Sequence, residues 1–193
     1  MDVAIVEAVD VTAQGRVHLT TGIGNAPTFL QQADRVIIEL NSYHSPRISE
    51  LADIYTLPRP PHRDPIPIYD PLDRIGTRYA DVDPRKIVGI VPCDQADGGR
   101  AFAAADAVSR AIGERVCAFL LNEMAAGRIP PEFLPLQSGV GNVCNAVMAS
   151  FSSNPDFPRF KLYTEVLQDT VIDLIASGSV LGASTCSLSL TDE

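Results

Sequence analysis

Apolar residues alternate with others through Val3, Ile5, Val6, Val9 and Val11, pause at Gln14-Gly15, and resume at Val17 and Leu19. A period of two interrupted by a glycine turn predicts a β-hairpin. Thr21-Gly22-Ile23-Gly24-Asn25 then reads as a turn leading into a short helix from about Ala26, and the apolar run Arg35-Val36-Ile37-Ile38-Glu39-Leu40 as a buried strand. Six prolines follow, at 58, 60, 61, 65, 67 and 71. Proline lacks the backbone N–H and fixes φ, so this density excludes a helix interior or a central strand. The stretch is an extended connector, either a plain linker or an arm packed on a neighbouring domain or subunit. Its Pro58-x-x-Pro61 also matches a polyproline-ligand pattern, one that is common by chance.

Beyond the connector, Ile87-Val88-Gly89-Ile90-Val91 predicts a strand and the segment from about Ala104 to Ala126 a long helix. Val108, Ile112, Val116, Phe119, Leu120 and Met124 recur at helical spacing there, which implies a core-facing stripe ending at Gly127. The remainder reads as a short strand over 134–140, a helix over 142–150, a strand over 160–166, a helix over 170–176 and a strand over 182–190. Thr170 with Asp173 has the spacing of a capping box, and Gly178 lies where a helix should stop. Alternation of this kind implies an α/β layered architecture with mixed, partly parallel sheets.

Two places share a local pattern. Gly22-Ile23-Gly24-Asn25 follows Thr21, and Gly139-Val140-Gly141-Asn142 follows Ser138; each opens a predicted helix, and the next strand carries one acidic residue, Glu39 or Glu165. This suggests an internal duplication. The chain then divides into residues 1–57, a connector over 58–85, and residues 86–193. Each half is short of strands for a closed sheet, so the chain is expected to be part of a longer protein.

Composition narrows the function classes. The 193 residues are 46% hydrophobic and 20% charged, which suffices for a real core. A net charge of −9 and a pI of 4.7 argue against a nucleic-acid partner, which would require a basic face. No apolar run reaches the roughly 20 residues that span a bilayer, and the start MDVAIVEAVDVT has no basic n-region, so a soluble, cytoplasmic protein without a membrane partner is expected. The four cysteines lie far apart without a CxxC pair, and His18, His44 and His62 are not spaced as metal ligands, so no metal site is expected.

Glycine turns at strand-to-helix junctions can offer backbone N–H groups to a carboxylate or phosphate, or can simply be tight turns. Neither copy completes the dinucleotide pattern, because Pro27 and Cys144 occupy the third glycine position. Glu165, flanked by Tyr163 and Thr164, is either a nucleophilic carboxylate at a strand end or a solvated charge there. Glu39 lacks the hydroxyl and aromatic neighbours. No G-x-S-x-G elbow occurs.

Three separated motifs carry a resemblance. Pro60-Pro61-His62-Arg63-Asp64-Pro65-Ile66-Pro67-Ile68 with Asp73-Arg74-Ile75-Gly76, Pro135-Leu136-Gln137-Ser138-Gly139-Val140-Gly141-Asn142, and Tyr163-Thr164-Glu165-Val166-Leu167-Gln168-Asp169 occur in the order found in the acetyl-CoA hydrolase/transferase family, the class I CoA-transferases. The resemblance covers nearly the whole chain and identifies it as a central portion. It implies parts of two tandem CoA-transferase-like, sugar-phosphate-isomerase-like α/β domains: the C-terminal part of the first over 1–57, and the N-terminal part of the second over 86–193. It further implies that Glu165 carries acyl and CoA groups in turn, and that Gln137, Gly139, Val140, Gly141 and Asn142 line the pocket for a small carboxylic acid. The substrates implied are acyl-CoA thioesters, such as acetyl-, succinyl- or propionyl-CoA, and small acids, with no bound cofactor and a homodimeric full-length form. Acyl-CoA hydrolysis is the neighbouring alternative. A third reading is an inactive scaffold lacking the family's later glycine-rich, CoA-contacting region. Cys144 stands where the family usually has a small residue such as alanine, and Glu39-Leu40-Asn41-Ser42-Tyr43-His44 departs from a tryptophan-containing form, which bears on the identity of the acid.

Overall fold

A computed structural model describes residues 1–98 and 105–191, which form two compact units divided between Asp97 and Gly98. The architecture is α/β with one mixed and one parallel sheet.

In the first unit, β1 (Val3–Val11) and β2 (Arg16–Leu19) form the expected antiparallel hairpin. Its turn needs Gly15: φ is +81°, and a Cβ there would lie 2.0 Å from the Val82 carbonyl oxygen. After α1 (Ala26–Gln32), β3 (Arg35–Asn41) returns parallel to β1. With β4 (Ala80–Asp81) and β5 (Ile87–Cys93), these strands make a five-stranded sheet in the order β4-β2-β1-β3-β5. One face of this sheet buries Ala4, Val6, Ala8, Val17, Leu19, Val36 and Ile38 with Leu30 of α1. The opposite face leaves Val3 and Ile5 exposed.

Two sequence expectations change here. The boundary expected at residue 86 moves to residue 97, because Ile87–Cys93 pairs in parallel with β3 rather than opening the second unit. An apolar run such as IVGIV reads alike in any buried parallel strand, so pattern alone does not assign its sheet. The connector over 58–85 leaves and rejoins the same unit: Ile54 bridges Thr77, and Arg74 Nη2 donates to the Ala52 carbonyl oxygen at 2.6 Å. The Asp53 carboxylate accepts from the N–H groups of Ile75 and Gly76 at 3.1 and 2.7 Å. The proline-rich stretch is therefore an excursion pinned at its base, not the link between the two units.

In the second unit, β6 (Phe160–Gln168) and β7 (Val180–Ser189) run parallel, joined by α4 (Asp169–Ala176). The strand expected over 134–140 contracts to a single bridge, Leu136 to Leu162. The capping box at Thr170 does not form. Because β6 runs directly into α4, Gln168 takes the N-cap position without a side-chain cap. Gly178 does end α4, at φ +79° with its N–H on the Ile175 carbonyl. Phe133, Phe151, Phe157 and Phe160 pack together in the core, with Phe151 stacked on Phe157 at 4.1 Å between centroids.

The long helix, α2 (Ala107–Ala125), is capped by Asp106, which accepts from the Ser109 N–H at 2.7 Å, and it stops at Gly127 with φ +70°. Its expected start at Ala104 lies outside the described residues. The expected core stripe is only partly right: Val116, Leu120 and Met124 flank the core, but Val108 and Phe119 are 68% and 59% exposed. The buried line is Ser109, Gly113 and Cys117, small residues at i, i+4 spacing that bring α2 against α3 (Asn142–Ser153). A Cβ on Gly113 would lie 2.6 Å from the Ala146 carbonyl oxygen. Hydrophobicity marks a core face, whereas this contact selects for small volume. Among the described residues, no helix is long and apolar enough to cross a membrane.

Gly113→Val should therefore force α2 and α3 apart and cost about 1–3 kcal/mol. The check is a lowered urea midpoint at unchanged m-value, beside Gly22→Ala, whose added methyl meets open space.

Candidate active site

Side chains alternate across β6. Phe160, Leu162, Thr164 and Gln168 are buried, while Tyr163 and Glu165 face out. The segment before α3 lies alongside this strand. Leu136 donates its N–H to the Lys161 carbonyl at 3.0 Å and accepts from the Tyr163 N–H at 2.9 Å. Counting on from that bridge, Ser138 stands beside Thr164 and Gly139 beside Glu165.

Thr164 closes the pairing with its side chain. Its Oγ1 donates to the Ser138 carbonyl oxygen at 2.9 Å and accepts from the Ser138 N–H at 3.2 Å. Gln168, 4% exposed, donates through Nε2 to the Gly139 carbonyl oxygen at 3.2 Å. Two buried side chains of β6 thus hold the glycine turn, and strand parity sends the Glu165 carboxylate to the other face. The Glu165 carbonyl is fixed as well, accepting from Thr185 Oγ1 at 2.8 Å and from Ser187 Oγ at 3.3 Å.

The turn ends at Gly141, whose φ of +127° suits glycine and which precedes α3 without a side-chain cap. The first N–H groups of α3 consequently point to the turn without intrahelical partners, a setting that favours an anion or a developing oxyanion. The expected binding residues are contiguous here. Gln137 is exposed and donates to the Ser138 carbonyl oxygen at 3.0 Å, Val140 is exposed, and Asn142 begins α3 half-buried. Cys144 Sγ would lie 3.3 Å from a Cβ on Gly139, so the cysteine packs under the turn.

Sequence reading missed Gln168 as a partner of the turn. Its signal was parity, since it shares a strand face with Thr164. Its Oε1 is shielded from solvent and has no hydrogen-bond partner among the described residues.

The two glycine motifs differ in topology. The second lies between a bridge and a strand that pair directly in parallel. The first follows β2, which is antiparallel to β1, and β1 separates it from β3. Glu39 on β3 is exposed and lies in register with Glu7 of β1.

A second polar group forms at the carboxyl ends of β1, β3 and β5, where sequence spacing had indicated no metal-ligating set. His44 Nε2 lies 3.1 Å from Asp97 Oδ1 and 3.8 Å from Glu7 Oε1. These residues are 37 and 53 positions apart, so only the strand order brings them together. Nearby, burial pushes the Cys93 thiol up from its ordinary range. The Glu39 carboxylate, by hydrogen bond and by charge, and then Glu7 and Asp94 push it the same way. Cys93 is therefore held as a protonated thiol, a weak nucleophile.

Comparison with known proteins gives these sites a context. Residues 1–92 match the family described as Acetyl-CoA hydrolase/transferase N-terminal domain. Over 191 residues the chain is 51% identical to a propanoyl-CoA:succinate CoA transferase of Escherichia coli, covering 99% of this chain and 39% of that protein. It is 42% identical over 193 residues to a succinyl-CoA:acetate CoA-transferase of Clostridium kluyveri, covering 100% of this chain and 36% of that protein. The chain thus spans well under half the length of these relatives. Among solved structures, a 4-hydroxybutyrate CoA-transferase of Porphyromonas gingivalis shares the fold with a TM-score of 0.61 at 16% identity, over 99% of this chain and 40% of that one. Residues 1–92 thus match the N-terminal domain of the acetyl-CoA hydrolase/transferase family, and the chain as a whole is similar to CoA-transferases.

Proposed function

We propose that the whole protein to which this chain belongs transfers CoA between an acyl-CoA and a small carboxylate, with Glu165 as the acceptor of the acyl and CoA groups. The observation that carries this reading is the 51% identity, across 99% of the chain, to a propanoyl-CoA:succinate CoA transferase. The exposed position of Glu165 beside a clamped glycine turn supports the choice of residue.

The chemistry follows from the carboxylate. Glu165 attacks the thioester carbonyl carbon, a tetrahedral oxyanion forms, and the C–S bond breaks to release CoA thiolate and leave an acyl-glutamyl anhydride. The thiolate then attacks the glutamyl carbonyl. Its carbon–oxygen bond to the acyl group breaks, the first acid leaves as a carboxylate, and a glutamyl-CoA thioester remains. An incoming carboxylate reverses both steps and regenerates Glu165, so no net proton or redox change is needed. N–H groups at the start of α3 offer donors for the oxyanions, and exclusion of water preserves the activated acyl group. Gln137, Gly139, Val140, Gly141 and Asn142 would bound the pocket for the small acid. Propionate, succinate and acetate are the acids this reading favours, from the printed names of the two CoA-transferase relatives. The same reading takes the whole protein as a cytoplasmic homodimer, with CoA thioester as substrate and no bound cofactor.

Hydrolysis is the second reading, favoured by the hydrolase half of the matched family's description. It differs only in water attacking the glutamyl intermediate. Initial rates of the whole protein with succinyl-CoA, with and without added acetate, separate the two. Transfer predicts parallel double-reciprocal lines and a rate that requires acetate; CoA release at the same rate without acetate would establish hydrolysis instead.

Two substitutions test the residues. Glu165→Ala should lower kcat/KM by at least about 10³-fold, as loss of a nucleophile does; near-normal transfer by this variant would exclude Glu165. Thr164→Val unclamps the turn and should reduce kcat up to roughly 100-fold through misplacement of the site. Stability should fall by only about 1–2 kcal/mol, and Thr164→Ser should restore most of the rate.

A further inference from the structure

We infer that Glu7, His44 and Asp97 form a binding site for one first-row divalent cation at the carboxyl end of the first unit's parallel strands. One ligand atom from each lies within 4.8 Å of the others. His44 Nε2 is 3.1 Å from Asp97 Oδ1 and 3.8 Å from Glu7 Oε1. An ion bound at about 2.1 Å from each donor sets ligand atoms roughly 3.0–3.4 Å apart. The His44–Asp97 edge already meets this spacing, and Glu7 Oε1, 3.8 Å from His44 Nε2, lies just outside it.

The surroundings orient the donors inward. Adjacent hydroxyls hold the outer oxygens of the two carboxylates: Thr20 donates to Glu7 Oε2 at 2.8 Å and Thr21 to Asp97 Oδ2 at 2.6 Å. Asn41, 2% exposed, donates through Nδ2 to Glu7 Oε1 and to the Gln95 carbonyl oxygen, tying β1 to β3 and to the segment after β5. Such partners fix ligand geometry in metal sites. The His44 side chain is 10% exposed, with Glu7 and Asp97 at 30% and 31%, so a cation could enter from the solvent side while the imidazole stays shielded.

Charge favours a cation. Glu39 is in register with Glu7, and the carboxylates of Glu39, Glu7 and Asp94 all act on neighbouring Cys93. The basic group paired with Glu7 and Asp97 is the His44 imidazole, itself a metal-ligating side chain. Two carboxylates and one imidazole suit borderline ions such as Zn(II) or Co(II) better than thiophilic ones. The cation would staple the chain after β3 and after β5 to β1, next to the junction between the units.

Cobalt(II) is the probe. Chain stripped with EDTA is titrated with Co(II) and followed by its visible ligand-field bands. One equivalent should bind, without the charge-transfer band of a thiolate ligand. His44→Asn, Glu7→Gln and the more exposed Asp97→Asn should each abolish the bands. His62→Asn should leave them unchanged, and Thr21→Val should weaken binding about 10–100-fold. Far-ultraviolet circular dichroism confirms that each variant is folded, and Asp97→Asn carries the test if a more buried variant is not. Absence of bands in the unsubstituted chain, bands that survive in folded Asp97→Asn, or a thiolate band assigning the ion to cysteine would each overturn the inference.

Discussion

The reciprocal hydrogen bonds between the Thr164 hydroxyl and the backbone of Ser138 set the geometry of the candidate site. A strand presents alternate side chains to opposite faces, so burying Thr164 against the turn obliges Glu165 to face the other way. One buried hydroxyl therefore fixes the glycine turn in register and exposes the carboxylate one residue later. Gln168 repeats the device two positions further along the same face. The turn is consequently held from the strand side, while the helix start at Gly141 stays uncapped and able to receive negative charge.

Much of this was legible in the sequence. The hairpin, the glycine turns, the helix stops at Gly127 and Gly178, and the parallel strand carrying Glu165 follow from period and turn chemistry. Other features depend on what a residue meets rather than on what it is. Gly113 lies on the closest line of α2 because its missing side chain admits the Ala146 carbonyl, whereas the large apolar residues Val108 and Phe119 look outward. Thr170 and Asp173 have capping-box spacing, but the direct junction of β6 with α4 leaves no free turn for a box to close.

Long-range pairing accounts for the remaining differences. The proline-rich excursion resembles an interdomain linker in composition, and only the Ile54–Thr77 bridge and the Asp53 and Arg74 hydrogen bonds reveal that it starts and ends on one unit. Likewise, β3 and β5 are each recognisable as strands, but their pairing is not, because parallel pairing is specified by crossover topology. The same topology gathers Glu7 of β1 with His44 and Asp97, which lie in the segments after β3 and β5. Ligands in open α/β sheets collect at carboxyl ends of strands, and in this unit that edge is acidic.

The central claim concerns one atom group, the Glu165 carboxylate, and covalent trapping tests it most directly. Whole protein is incubated with succinyl-CoA without acceptor acid, treated with borohydride or hydroxylamine, digested and mapped by mass spectrometry. The account predicts a modified peptide in which Glu165 alone bears the reduced alcohol or the hydroxamate. Modification at another residue, or none while CoA transfer proceeds, would contradict it.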